Sequence, residues 1–166
     1  MKIGILSDTH GHFDPRIEVH FKDCDEIWHA GDIGDMEVIR RLHRIAPVVA
    51  VHGNIDGYPI RGQYPAHQRL IREGVDIWMT HIGGYPGNYD TRIREAIRSN
   101  PPNLFISGHS HILKVIPDKR LGLLHMNPGA AGRIGMHKTR TLIRAELEDG
   151  TIRHADVIDL GSRSSS

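Results

Sequence analysis

Met1-Lys2-Ile3-Gly4-Ile5-Leu6-Ser7-Asp8-Thr9-His10 opens the chain, as an apolar run that ends in a carboxylate and an imidazole. Its centre, Ile3-Gly4-Ile5-Leu6, has the length and the composition of a short buried β-strand. Four similar runs follow at residues 26–30, 48–51, 75–79 and 104–106, and amphipathic stretches separate several of them. This alternation predicts parallel strands with helices packed on the faces of the sheet.

Two amphipathic stretches and a hairpin complete the predicted fold. The apolar residues of Asp35–Ile45 recur at helical spacing, and a second helix begins near Asp90. Beyond residue 112, the runs Arg140–Leu147 and Thr151–Ile158 flank Glu148-Asp149-Gly150, which predicts a hairpin turn. We expect an α/β fold: a four-layer α-β-β-α sandwich in which two mixed sheets pack face to face with helices outside. The prediction is one domain over 1–160 and a polar, flexible tail over 161–166.

The composition argues against several classes of protein. The 166 residues include 21 Lys and Arg against 20 Asp and Glu, so the formal charge is only +1. A nucleic-acid-coating protein would show a basic excess, and a disordered chain a large net charge. Cys24 is the only cysteine, so no disulfide forms within the chain. Without a signal peptide or a run of ~20 apolar residues, the chain is expected to be cytoplasmic with no membrane partner.

Each predicted strand is followed by a small-residue turn, by a side chain able to bind metal, or by both. The chain also has 13 histidines, and imidazole is the commonest metal ligand in proteins. In α/β sheets, ligands bind in the crevice outside the carboxyl ends of the strands, so these side chains should converge on one site. The candidate ligands are Asp8, His10, Asp32, Asn54, His81, His109 and His111.

The chemistry of this set predicts a pair of metal ions. Two carboxylates, one carboxamide and four imidazoles, without a thiolate, suit Mn²⁺, Fe, Zn²⁺, Co²⁺ or Ni²⁺. Seven ligands exceed what one such ion binds, but they fit two ions that share a carboxylate. Asp32 is the natural bridge, because the two oxygens of a carboxylate can face two metals. The positive charge of two divalent ions would exceed the negative charge of the two carboxylates. The net positive charge of the site would favour an anionic substrate such as a phosphate ester.

The order of these motifs resembles that of the calcineurin-like metallophosphoesterase superfamily. Its series D-x-H, G-D, G-N, H and G-H-x-H occurs here as Asp8-Thr9-His10, Gly31-Asp32, Gly53-Asn54, His81 and Gly108-His109-Ser110-His111. Asn127-Pro128-Gly129 is similar to a segment of the small, uncapped prokaryotic phosphodiesterase branch, to which the retromer scaffold subunit is also similar. The resemblance covers nearly the whole chain.

The resemblance implies a metal-dependent phosphoesterase, and most closely a phosphodiesterase. A hydroxide held by a dinuclear metal centre would hydrolyse P–O ester bonds of a small substrate, with Asp32, Asn54 and His109 as catalytic residues. Mn²⁺ is the first expectation for the two divalent ions, ahead of Fe, Zn²⁺, Ni²⁺ and Co²⁺. The implied ligand sets are Asp8, His10 and His111 for one ion and Asn54, His81 and His109 for the other, with Asp32 as the bridge.

Two departures from the family leave alternatives open. Ile55 stands where many relatives carry a histidine that assists the leaving group, whereas Asp56 is retained for a turn or for orienting a ligand. After Gly31-Asp32 the chain lacks the arginine that grips a phosphomonoester in Ser/Thr phosphatases. The alternatives to a phosphodiesterase are a phosphomonoesterase of the same chemistry and a non-catalytic protein-interaction scaffold. A nucleic-acid substrate has no support from the charge balance, and homo-oligomerisation is left open.

Other residues receive weaker predictions. His12 lies near the first motif and could reach substrate, although an exposed loop position is the simpler interpretation. Tyr85 and Asn88, in a glycine-rich loop, are candidates for substrate contacts, and His137 is a candidate for phosphate contact. His29 alternates with core positions on its strand, which predicts a structural, hydrogen-bonded imidazole.

Overall fold

A computed structural model describes residues 1–164 of the chain. The elements follow one another in this order: β1 (Lys2–Leu6), α1 (Arg16–Phe21), β2 (Glu26–His29), α2 (Met36–His43), β3 (Val48–Ala50), α3 (Ile60–Gln63), β4 (His67–Arg72), β5 (Val75–Thr80), β6 (Gly84–Tyr85), β7 (Asn88–Tyr89), α4 (Arg94–Ser99), β8 (Leu104–Ile106), β9 (Lys114–Asp118), β10 (Leu123–Asn127), β11 (Thr139–Glu148) and β12 (Thr151–Ser162).

The long strands form two five-stranded mixed sheets. The first sheet has the order β12-β11-β1-β2-β3, and the second has the order β4-β5-β8-β10-β9. The strands β1-β2-β3, at one side of the first sheet, and β5-β8-β10, at the centre of the second, are parallel, whereas the remaining pairs are antiparallel. The expectation of two mixed sheets is confirmed. Five of the parallel strands come from the segments in which the sequence predicted them, whereas β10, which pairs in parallel with β8, lies in the C-terminal part beyond residue 112.

Successive side chains of β1 point to opposite faces of the first sheet, and their contacts show how the layers pack. Ile3 and Ile5 are fully buried in a core that also contains residues of β5, β8 and β10, so this face of β1 packs against the second sheet. Leu6 faces the other way and packs with residues of α1 and α2. Gly4 shares that outer face, where a Cβ would overlap the ring of Phe21 on α1.

A third apolar cluster closes the sandwich on its far side. Ile93 and Ile97, at and within α4, pack with Trp78 of β5, Phe105 of β8 and Leu123 of β10. Helices therefore cover the outer face of each sheet, and the predicted four-layer α-β-β-α arrangement is confirmed. Among the described residues, no helix has the length and apolar character needed to cross a membrane.

Several boundaries differ from those that the sequence predicted. The helix expected over 35–45 spans Met36–His43, and the one expected from Asp90 begins at Arg94. The edge strands β4 and β9 have no counterpart in the prediction, because neither has a buried face with a clear apolar alternation. β12 continues through Ser162, beyond the start of the predicted tail. Residues 165–166 of that predicted tail lie outside the described residues.

A buried ion pair joins the last two strands to the segment that follows β1. The Arg140 side chain on β11 is fully buried, and its Nη1 donates to Asp14 Oδ2 at 2.7 Å. Its Nη2 and Nε donate to the carbonyls of Leu160 and Ser162, each at 3.1 Å, which explains why β12 stays ordered to its end. Hydrogen bonds from Arg16 and then Arg140 outweigh burial and lower the pKa of Asp14 well below its usual 3.8.

Replacement of Asp14 by alanine leaves the Arg140 guanidinium buried without its carboxylate. We expect Asp14→Ala to reduce the free energy of unfolding by about 3–5 kcal/mol, measured by urea denaturation at pH 7. The low folded-state pKa means that the contribution of Asp14 is present at neutral pH and is lost only in strongly acidic solution. Arg16→Ala, which removes the exposed partner of the same carboxylate, should cost about 1 kcal/mol or less. Equal losses for both variants would contradict this account.

Candidate metal centre

The carboxyl ends of the parallel strands meet at one edge of the sandwich, and the predicted ligands lie there. Two groups have ligand atoms that all lie within 4.8 Å of one another: Asp8, His10 and His111 in one group, and Asp32, His81 and His109 in the other. Asn54, from the loop after β3, lines the same cavity as His81. The structure therefore brings together side chains that are separated by up to about a hundred residues in the sequence.

One oxygen of Asp32 lies between the two groups. Its Oδ2 is 3.5 Å from His10 Nε2 and 3.2 Å from His81 Nε2. Its Oδ1 accepts a hydrogen bond from the backbone N–H of Ile55 at 3.1 Å. Oδ2 of Asp32 therefore lies close to an imidazole nitrogen of each group, and Oδ1 is hydrogen-bonded to the backbone.

Three buried polar atoms of the site have no hydrogen-bond partner among the described residues. They are Asp8 Oδ1, His10 Nε2 and His81 Nε2. Leaving such atoms unpaired in a protein interior costs about 1–3 kcal/mol each. Asp8 Oδ1 lies 3.9 Å from His10 Nε2 and 3.8 Å from His81 Nε2. Carboxylate oxygens and imidazole nitrogens are donors that divalent transition metals prefer. The donor set therefore fits metal ions.

The other oxygen of Asp8 is already occupied by protein donors. Asp8 Oδ2 accepts from Ser7 Oγ at 2.6 Å and from the backbone N–H of His109 at 3.1 Å. Gly108 makes this approach possible, because a Cβ there would overlap Ser7 Oγ and Asp8 Oδ2. Gly53 has the same function beside Asp32, whose carboxylate and backbone N a Cβ would overlap. The motif glycines thus make room for the ligands of neighbouring motifs.

The backbone at the site is strained in a consistent way. Seven non-glycine residues among those described have a positive φ, and five of them are predicted ligands: Asp8, His10, Asp32, His109 and His111. Residues with side chains seldom adopt this left-handed region, and they persist in it only where the surroundings hold them. Backbone hydrogen bonds between loops do so here, including Asp8 N–H to the Gly31 carbonyl and His10 N–H to the Asp32 carbonyl, both at 3.0 Å.

Hydrogen bonds also select the tautomers of the buried histidines. His81 Nδ1 lies 2.7 Å from the Ala30 carbonyl, which can only accept, so Nδ1 carries the proton and Nε2 presents its lone pair to the site. His29 is different, because its Nδ1 accepts from the Gly31 N–H and its Nε2 donates to Thr9 Oγ1. Burial lowers the pKa of His29 to about 4, so it remains neutral and links two ligand loops. The structural role predicted for His29 agrees with these contacts.

Asp56 connects the two loops that carry Asp32 and Asn54. Its buried carboxylate accepts from the N–H groups of Ile33 at 3.1 Å, Gly34 at 2.8 Å and Gly53 at 2.8 Å. The sequence analysis gave Asp56 two alternatives, a turn or a ligand-orienting role. The contacts combine both, because the carboxylate shapes its own turn and holds the neighbouring loop that carries Asp32.

His137 is a site residue whose role the sequence analysis missed. It was a candidate for phosphate contact, but its Nδ1 lies 3.1 Å from Nδ1 of His111. Its Nε2 donates to the Gly132 carbonyl at 2.9 Å, so Nδ1 is the acceptor of a proton from His111. His111 Nε2 then faces Asp8 Oδ1 at 3.1 Å with its lone pair free for a metal. His111 and His137 are 26 residues apart in the sequence, so only the folded structure shows that they form a hydrogen bond.

The remaining candidates fall around the rim. Tyr85 and Asn88 lie in the β6–β7 hairpin and line a cavity of about 320 Å³ together with His109, so both are placed near the site. His12 is half-buried, and its Nε2 has no hydrogen-bond partner among the described residues. It belongs to neither ligand group.

Residues 1–150 match the family described as the calcineurin-like phosphoesterase superfamily domain. The chain belongs to this superfamily. It is 33% identical over 156 residues to a probable metallophosphoesterase of Methanocaldococcus jannaschii, an alignment that covers 90% of this chain and 77% of the relative. A second protein of that organism, named a phosphodiesterase, is 26% identical over 142 residues, covering 78% of this chain and 83% of its own length.

Solved structures show the same fold. A structure described as a novel archaeal phosphodiesterase superposes with a TM-score of 0.75 at 24% identity and covers 96% of this chain and 100% of its own. Wild-type Vps29 of Entamoeba histolytica, solved as a zinc complex, gives a TM-score of 0.71 at 17% identity and covers 96% of this chain and 99% of its own. The metallophosphoesterase fold that the motifs implied is confirmed.

Loss of the Asp56 carboxylate should loosen both ligand loops. We expect Asp56→Ala to weaken the binding of Mn²⁺ or Zn²⁺ to metal-stripped protein by about 10–100-fold, measured by titration calorimetry. The exposed Asp23 offers a control, since Asp23→Ala makes the same change of charge in the segment between α1 and β2. Unchanged metal affinity in folded Asp56→Ala would show that the loops hold their geometry without it.

Removal of His137 should free the ring of His111 to rotate. We expect His137→Ala to lower metal affinity by about tenfold, and His137→Gln to restore much of it because the amide oxygen can accept the same proton. Calorimetric titration with Zn²⁺ measures the affinity, and nitrogen chemical shifts of labelled histidine report the tautomer of His111. His154→Ala, at an exposed position on β12, is the matched control and should bind metal like the parent chain. Identical affinity for alanine and glutamine variants would contradict a hydrogen-bonding role.

Proposed function

We propose that the protein is a metal-dependent phosphodiesterase with a dinuclear centre that contains Mn²⁺ in preference to Fe, Zn²⁺, Ni²⁺ or Co²⁺. Membership of the superfamily supports a hydrolase acting on phosphate esters, and the names of relatives support diesters. The proposed ligand sets are those of the sequence analysis: Asp8, His10 and His111; Asn54, His81 and His109; and Asp32 shared between them. A cytoplasmic location and a small phosphate-ester substrate are part of the same proposal.

The position of Asp32 Oδ2 is the observation that carries the proposal. This atom lies within 3.5 Å of an imidazole nitrogen from each group, so a single oxygen can be shared by two ions. Divalent ions at such a site supply acidity to bound water and neutralise the charge of a phosphoryl group. The protein supplies the geometry, because Ile55 N–H, Ser7 Oγ and the loop hydrogen bonds fix the carboxylates beforehand.

Asn54 and His109 have a different environment from the buried ligands. Both are exposed, and each lines a cavity that opens beside the site. A substrate phosphate that enters from solvent therefore meets these side chains directly. This placement supports their assignment with Asp32 as the residues that contact the reacting phosphate.

Two features of the site bear on the choice of ester. One is the lack of a proton donor beside Asn54, and the other is the lack of an arginine in the loop after Asp32. Ile55 is 48% exposed beside Asn54 and has no group that can donate a proton to a departing alkoxide. In the loop after Asp32, Asp35 caps α2 by accepting from the Glu37 N–H at 2.7 Å, and no arginine of that loop grips a phosphomonoester. A diester, which carries one negative charge and needs no such grip, suits this site better than a monoester does.

The scaffold alternative rests on the fold similarity to Vps29. A scaffold has no requirement for a complete set of metal ligands, yet all seven candidate side chains are present and five of them have a strained backbone with positive φ. The strained backbone costs stability that a purely structural protein would have no reason to retain. This observation favours the enzyme.

The proposal predicts hydrolysis of an activated diester. Metal-stripped protein that is refilled with Mn²⁺ should hydrolyse bis-p-nitrophenyl phosphate faster than p-nitrophenyl phosphate, measured by release of nitrophenolate. Asp32→Ala or His109→Ala should reduce kcat/KM for the diester by more than about a hundredfold, because each removes a ligand of the centre.

Circular dichroism should show that these variants remain folded, and Asp23→Ala should retain the activity of the parent chain. Faster turnover of the monoester would favour a phosphomonoesterase. Absence of turnover across diesters, monoesters and all five metals would favour the scaffold.

A further inference from the structure

A second cavity adjoins the one beside the candidate metal centre. The first cavity, of about 320 Å³, is lined by His109 and also by Tyr89 and Arg94. The second, of about 560 Å³, is lined by the same Tyr89 and Arg94. Because these two residues contribute to both linings, the two cavities are neighbours with Tyr89 and Arg94 between them. A substrate bound at His109 thus has the second cavity beside it.

Basic side chains line this second cavity, which we call the basic groove. Its cations are Arg94, Arg98, Lys119 and Arg120. The groove also contains one carboxylate, that of Asp118, but its oxygens accept from Tyr89 Oη at 2.7 Å and from the N–H groups of Arg120 and Leu121 at 2.9 and 3.2 Å. Within residues 1–164, none of the four cations forms a salt bridge, although most other arginines of the chain do.

The fold brings these cations together from two separate elements. Arg94 and Arg98 are four residues apart on α4 and so lie on one face of the helix. Lys119 and Arg120 belong to the turn between β9 and β10. Like charges at this helical spacing repel one another, and the turn adds two more cations, whereas Glu95 is the one acidic residue of the helix. This repulsion is an unfavourable arrangement that a bound anion would offset.

Arg94 is fixed at the junction of the two cavities. Its Nε and Nη2 donate to the Tyr89 carbonyl at 3.2 and 3.0 Å, which leaves both N–H groups of Nη1 and the second N–H of Nη2 available to an anion. Lys114 adds a fifth cation on the side of the metal centre, with its Nζ 3.6 Å from the centre of the Tyr85 ring. Lys114 and Arg94 thus lie in the first cavity together with one carboxylate, that of Asp90, which is paired with Arg92 at 3.8 Å. The cations of the basic groove follow beyond Arg94, although the formal charge of the chain is only +1.

We propose that the basic groove binds a second phosphate of the substrate, so that the preferred diester carries another phosphate group beyond the scissile one. Guanidinium groups match the geometry of phosphate oxygens, and lysine adds charge without a geometric requirement. The proposal rests on the proposed function, since it assigns the groove to the substrate of the same site. The second phosphate can be a terminal monoester on a small molecule or an internucleotide link in a strand.

A series of p-nitrophenyl esters tests the proposal. The protein refilled with Mn²⁺ is given p-nitrophenyl thymidine 5′-phosphate, the same ester with a 3′-phosphate, and the same ester extended at the 3′ position by one thymidylate. We expect kcat/KM to be about tenfold higher for the 3′-phosphorylated ester than for the parent ester, and this ratio to fall as salt is added. A similar gain for the extended ester would assign the groove to a nucleic-acid strand, and a gain for the 3′-phosphate alone to a small molecule.

Charge reversal should remove the preference. In Arg98→Glu with Lys119→Glu, the ratio of the two kcat/KM values should fall to about one or below. Lys22→Glu with Arg44→Glu makes the same change of charge just beyond the C-terminal ends of α1 and α2, across the sandwich, and should retain the ratio of the parent chain. A ratio that is unaffected by Arg98→Glu and Lys119→Glu would overturn the proposal.

Binding without turnover separates this proposal from the proposed function. Titration calorimetry should show about tenfold tighter binding of thymidine 3′,5′-bisphosphate than of thymidine 5′-monophosphate, and the charge-reversed protein should lose this difference. Equal affinities would exclude the groove as a phosphate site even if diesters are hydrolysed. A clear difference in affinity without hydrolysis of any ester would instead leave the groove as an anion site and contradict the phosphodiesterase.

Discussion

Burial of two carboxylates, those of Asp8 and Asp32, at the ends of adjacent parallel strands is the constraint on which the rest of this structure depends. Charged oxygens that leave water need hydrogen-bond donors or cations in its place. The chain provides donors to one oxygen of each carboxylate, from Ser7 Oγ and from the N–H groups of His109 and Ile55. The second oxygen of each carboxylate faces imidazole nitrogens. Oxygen and nitrogen donors that face one another in this way make the site suitable for metal ions.

The carboxylate oxygens of Asp8 and Asp32 are held by strand-end loops whose backbone conformation is unfavourable in isolation. The positive φ angles of the ligand residues cost about 1–3 kcal/mol each, and they are held by hydrogen bonds between loops and by the rigid strands beneath. Asp56 and His137 extend this support outward, since the first links two loops and the second orients an imidazole ligand. Removing either supporting residue changes the site without removing a single proposed ligand.

The same architecture explains why the site is open on one side. Helices cover the outer faces of the two sheets, whereas in residues 1–164 the β6–β7 hairpin and neighbouring loops lie at the edge where the parallel strands end. The cavities beside His109 and Asn54 are lined by side chains of these loops. The uneven placement of charge beside His109, in a chain that is nearly neutral as a whole, is consistent with selection of an anionic substrate.

The sequence by itself determined the central strands, the mixed α/β fold and the identity of the candidate ligands. Strand ends such as Asp8-Thr9-His10 are visible because local apolar runs mark where a strand stops, and the family motifs give their order. The edge strands β4 and β9 were not predictable in this way, because an edge strand with two partly exposed faces has no apolar alternation to detect.

The long-range contacts of the candidate site were decided by the tertiary structure alone. The hydrogen bond from His111 to His137 spans 26 residues, and the basic groove combines a helix with a turn from another part of the second sheet. Likewise, only the packed loops show that one oxygen of Asp32 faces both ligand groups while the other is bound by Ile55. Periodicity and spacing describe a residue's neighbours along the chain, whereas these relations depend on distances across it, which exist only after the sheets have packed.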